Sequence, residues 1–218
     1  MSEERAAASG FAADSDNDAP PELSALVADG VAPAFLVAHL SMLLGARVPI
    51  RVAGPASAAT RDLVATALLA GSSPRGGEGR RSDEAPLVSS VEAADLAALL
   101  APARGAVGGA VANDAFRRFG VALFVGDELA RRDGTGGATQ RGRLLSAHLL
   151  QAPEGASSSG SAAQRPMLLA TWNEGAGRWD DFAWAAIPVL AARCGATHEA
   201  YALLLAEREA VLAAHAEA

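Results

Sequence analysis

The sequence predicts an α+β domain: a mostly antiparallel sheet of four or five strands, covered by helices on one face. Three observations predict it. The stretch from Glu22 to Ala70 reads as helix, strand and helix. After Gly120, short apolar segments alternate with polar turns, as a meander requires. The chain then closes on apolar residues at helical spacing between His198 and His215. A three-layer α/β arrangement is the alternative, because the opening strand runs through a turn into a helix.

Residues 1–20 are polar, acidic and rich in Ala, Ser and Asp, and are expected to form a disordered acidic tail. Residues 21–218 are expected to form a single α+β domain, with flexible loops at 71–86, 131–140 and 153–164. Glu22–Asp29 forms a first helix, ended by Gly30. Pro33 opens a second through Phe35, Leu36, Leu40, Leu43 and Leu44. That helix is apolar around most of its circumference and belongs in the centre. Val48, Ile50 and Val52 alternate within Arg47–Ala53, a strand broken by Gly54 and Pro55. Ser57 can cap a helix over Ala58–Ala70, with Leu63, Val64, Ala67 and Leu68 on its buried side. Ser89 and Glu92 have capping-box spacing for a helix over Val91–Leu100, which Pro102 stops.

In the second half, Gly120–Val125 and Arg143–Leu150 are apolar strands. Met167–Trp172 and Trp179–Ala186 form a β-hairpin around Glu174–Gly177. If Asn173 pairs with Arg178, then Thr171 faces Asp180, Leu169 faces Phe182 and Met167 faces Trp184, which places Trp184 in the core. A one-residue slip would exchange the two faces. Thr197 caps the last helix, whose buried stripe is Tyr201, Leu204, Leu205, Val211 and Leu212.

Composition excludes several chemistries. All 18 basic residues are arginine, so a Walker phosphate loop lacks its lysine and Schiff-base catalysis lacks its amine. Isoleucine occurs only at Ile50 and Ile187, while Ala, Gly and Arg are abundant, so codon drift explains the missing lysine more simply than selection against its modification. A formal charge of -7 argues against a nucleic-acid footprint and against docking on anionic lipid. The single cysteine, Cys194, forbids an intramolecular disulfide, and the acidic start resembles no signal peptide, so a cytoplasmic location is expected. The longest apolar run, Val31–Gly45, is too short to span a bilayer.

No complete catalytic set, metal site or cofactor site emerges from the residues. Zinc at a thiol cluster needs more than one cysteine, and the histidines are only His39, His148, His198 and His215. Cys194 and His198 are four apart, but Gly195 interrupts the helix that would align them. Ser146 and His148 share a strand face and could meet Asp180 or Asp181 from a neighbouring strand, although no nucleophile-elbow motif surrounds Ser146. Gly54, Ser57, Thr60 and Arg61 lie in a strand-to-helix turn suited to an anion, and Asp127 follows an apolar strand as a magnesium-binding acid does. This arrangement resembles a degenerate P-loop domain in topology, which implies nucleotide or phospho-ligand binding. It departs from the motif at Ala59, Thr60 and Arg61, where Gly, Lys and a hydroxyl residue are required.

All three tryptophans lie between positions 172 and 184. Trp172 and Trp179, with Arg178 beside them, fall near the hairpin tip, where they can form a partner contact. The expected function is therefore a non-catalytic cytoplasmic adaptor or regulatory domain, binding a protein partner through this hairpin and the adjacent sheet face. Phospho-ligand binding at the Gly54–Arg61 turn is the alternative, and hydrolysis using His148 or Cys194 is the third reading. Neither nucleic acid nor membrane is an expected partner, and the oligomeric state is left open.

Overall fold

The computed structural model describes residues 20–71, 87–101, 116, 120–130, 139–151 and 166–216. The expected tail apart from Pro20, and the expected loops apart from residues 71, 139 and 140, lie outside the described residues. In chain order the elements are α1 (Pro21–Ala28), α2 (Ala34–Gly45), β1 (Ile50–Ala53), α3 (Ala58–Ala70), β2 (Val88–Ser90), α4 (Leu96–Leu100), β3 (Val121–Ala130), β4 (Thr139–Leu149), β5 (Met167–Asn173) and β6 (Arg178–Asp181). A 3-10 turn at Ala183–Ala186 leads into α5 (Ile187–Arg193), and α6 (His198–Ala216) follows.

The strands form one sheet in the order β2-β1-β3-β4-β5-β6. β1 pairs in parallel with both β2 and β3, and every later pairing is antiparallel. This overturns the expected α+β class and its mostly antiparallel sheet of four or five strands: the fold is α/β with a mixed six-stranded sheet. Alternation marks a strand but not the direction of its neighbours. Parallel pairing needs a crossover, which α3 supplies between β1 and β2.

Two elements depart from their expected extents, and one of them, β2, is the added strand. Ser89 is not a helix cap. It lies in the three-residue strand β2, where its hydroxyl accepts a 2.6 Å hydrogen bond from Arg51. The helix expected over Val91–Leu100 shrinks to α4, capped by Asp95, whose carboxylate accepts from the Ala98 N–H at 2.8 Å. The strand expected over Trp179–Ala186 stops at Asp181. There the Asp181 carboxylate accepts from the Ala183 N–H at 2.8 Å and turns the chain off the sheet. Trp184 therefore sits on the 3-10 turn, 68% exposed, and not in the core.

The main core lies on one face of the sheet. Ile50, Val52, Val121, Leu123, Val125, Leu144 and Leu149 meet apolar residues of α1, α2, α3, α5 and α6. Every residue from Leu36 to Leu44 is buried, as an all-round apolar helix requires. A smaller cluster on the other face joins Ala53, Phe116, Ala122 and Phe124 to Leu96, Leu99 and Leu100 of α4. Among the described residues no helix is long and apolar enough to cross a membrane.

Candidate functional site

The β1–α3 turn brings Gly54, Ser57, Thr60, Arg61 and Asp127 together. Gly54 has φ +113°, and a Cβ there would lie 2.4 Å from the Val125 carbonyl oxygen. Only glycine permits so close an approach of two backbones. The Ala56 N–H donates to the same carbonyl at 3.0 Å, pressing the turn onto β3. Ser57 caps α3, its Oγ accepting from the Thr60 N–H at 3.2 Å. Asp127 reaches the same helix end from β3. Its Oδ2 accepts from the Ser57 N–H, and its Oδ1 from the Thr60 hydroxyl, each at 2.8 Å. Arg61 folds back to donate to the carbonyls of Gly54, at 3.2 Å, and Ala56. A carboxylate thus stands where a helix N-terminus would hold a bound anion. A phosphate entering there would meet like charge at short range.

The Ser146–His148 pair forms as its strand spacing suggests, with His148 Nε2 3.0 Å from Ser146 Oγ. Burial pushes the His148 pKa down, so the imidazole is neutral, and Phe124 meets it edge-on. The pair opens on a hollow of about 330 Å³ lined by Pro55, Asp95, Leu96, Phe124 and Leu145. Asp180 lies in the same cross-strand row as Ser146, through Thr171. Its carboxylate, however, accepts from Asn173 Nδ2 at 3.0 Å and lies 3.7 Å from Arg178. Cys194 is buried with its Sγ 3.7 Å from the Met42 carbonyl oxygen, and burial pushes its thiol up to about 11. Such a thiol is protonated and unreactive at neutral pH. His198 lies exposed beyond Gly195 and does not share its environment. Among the described residues no group of three His, Cys, Asp or Glu side chains could hold a metal.

Sequence reasoning missed a buried pair. His39 Nδ1 lies 2.8 Å from the Tyr201 hydroxyl, with the rings stacked at 5.8 Å. Burial pushes the His39 pKa down to about 4. The pair ties α2 to α6. Its only sequence signal is a histidine inside the apolar Val31–Gly45 run.

At the hairpin, Trp172 and Trp179 are cross-strand partners whose rings meet at 5.3 Å and 61°. Trp179 also packs against the main core. The Arg143 guanidinium lies 3.9 Å from the centre of the Trp172 ring and pairs with Glu128 at 2.5 Å. Trp172 is thus held between an indole and a cation. Arg143 and Glu128 are further members of this cluster that no local pattern singled out. The Arg178 side chain is 74% exposed. Past Asp181, Phe182 and Trp184 are 39% and 68% exposed. Across β4 and β5, Leu145, Ser146, His148, Leu168 and Thr171 are half-buried. The chain matches no protein-family model, and no curated protein matches it.

Proposed function

We propose that this chain is a non-catalytic cytoplasmic adaptor or regulatory domain that binds a protein partner through the β5–β6 hairpin and the adjacent sheet face. The observation that carries this reading is unequal cover. Among the described residues, five helices pack into the main core on one face of the sheet, whereas on β4 and β5 Leu145 and Leu168 remain half-buried, and Phe182 and Trp184 lie exposed just past β6. Large exposed aromatic side chains at a sheet edge are characteristic of contact surfaces. Trp172, Trp179 and Arg178 are the proposed contact residues, with Trp172 preorganised by Arg143.

The test is site-specific photo-cross-linking in cells. A photoreactive residue at Leu168 or Thr171 is expected to give a discrete cross-linked species, and one at Leu63, 64% exposed on α3, is expected to give none. Cross-linking from Leu63 alone would move the contact to the helical side and end this reading.

A further inference from the structure

We infer that the partner of the hairpin edge is a second copy of this chain, joined β6 to β6 about a two-fold axis at Trp179. This rests on the reading of the hairpin as a protein contact and names its occupant. β6 ends the sheet and, among the described residues, has a strand on one side only. Its hydrogen-bonding pattern shows which groups face outward. The Phe182 N–H donates to the Leu169 carbonyl at 2.9 Å. By the alternation of an antiparallel ladder, the main-chain groups of Phe182, Asp180 and Arg178 then point to β5, and those of Trp179 and Asp181 point away.

A two-fold pairing must set outward residues opposite outward residues. Three registers do so, centred on residue 179, 180 or 181. Centring on Asp180 or Asp181 sets that carboxylate against its own copy, which is unfavourable. Centring on Trp179 instead sets Arg178 opposite the second copy's Asp180, twice, and Gly177 opposite its Asp181. Charge therefore selects one register. The same register continues the indole row, because Trp172 and Trp179 already meet across β5 and β6 at 5.3 Å. Trp179 would face its own copy, giving four indoles in line across the new sheet. Arg178 is exposed, and its 3.7 Å approach to Asp180 within the chain is long for an ion pair, so it can turn to the second copy. The exposed Phe182 and Trp184 would then flank the second copy's turn, where Gly175, Ala176 and Gly177 leave room.

Sedimentation equilibrium of the full chain tests this. The wild type is expected to be a dimer. Arg178→Asp and Asp180→Arg should each weaken it at least roughly tenfold, and the double exchange should restore it, since charge is only transposed. Thermal melts followed by circular dichroism check folding. Should Asp180→Arg unfold for want of its Asn173 bond, a second measurement decides. Arg178→Cys mixed with Asp180→Cys should form a disulfide-linked dimer on oxidation, and neither variant alone should, because opposed residues stand about 4.5–5.5 Å apart between Cα atoms. A monomeric wild type, or a dimer indifferent to Arg178→Asp, overturns the inference. If cross-linking from Leu168 persisted in either case, the edge pairing would fall while the sheet-face reading stood.

Discussion

Gly54 and His39 show how single residues constrain the fold. At Gly54 the backbone has φ +113° and lies against Val125. Gly54→Ala should therefore cost more than about 2 kcal/mol, because strain and overpacking add. Chemical denaturation would measure it, and a loss within error would mean that β1 and β3 separate easily at this point. His39 makes a pH prediction. Its pKa is near 4 when folded and near 6.5 when exposed, so between these values the unfolded chain binds the extra proton. Stability is complete above pH 6.5 and falls as pH drops toward 4, by an amount on the order of 3 kcal/mol. His39→Gln removes this contribution, so its melting temperature should depend less on pH than that of the wild type over that window. Parallel curves for the two proteins would show that folding does not lower the His39 pKa.

At the scale of elements, what was legible depended on sequence separation. The hairpin register at Asn173–Arg178 and Thr171–Asp180 could be read because a short turn sets it. The caps at Ser57 and Thr197 could be read for the same local reason. The β1–β3 pairing joins strands whose partners, such as Ile50 and Val121, are far apart along the chain, and no local pattern encodes it. The shift of register between Phe124 and Val125 hides the face of Arg143 in the same way, so its place over Trp172 could not be foreseen. Asp127 meets the β1–α3 turn in the fold, but alternation could not reveal that its carboxylate turns into the helix end. This element carries its own prediction. Asp127→Ala should cost about 1–2 kcal/mol through the lost cap, and ATP with magnesium should leave the wild-type melting temperature unchanged. A clear rise with nucleotide would favour phospho-ligand binding instead.

Among the described residues the whole molecule is a mixed sheet with its principal core, built with five helices, on one face, and with its three tryptophans at the β5–β6 end. The β2 end is short and parallel, and β2 meets α3 and Arg51. The β6 end is antiparallel and carries Trp179 beside the exposed Phe182 and Trp184. An exposed edge strand is a site where another chain can pair, and short charged strands limit the choice of partner. The central claim is that β6 at this end is the contact edge for a second copy of the chain. Amide hydrogen exchange, compared between dilute and concentrated protein, tests it most directly. The account predicts that the Trp179 and Asp181 amides, which point away from β5, exchange rapidly when dilute and become protected at high concentration, with α3 unchanged. Equally rapid exchange at both concentrations, or protection confined to α3, would contradict it.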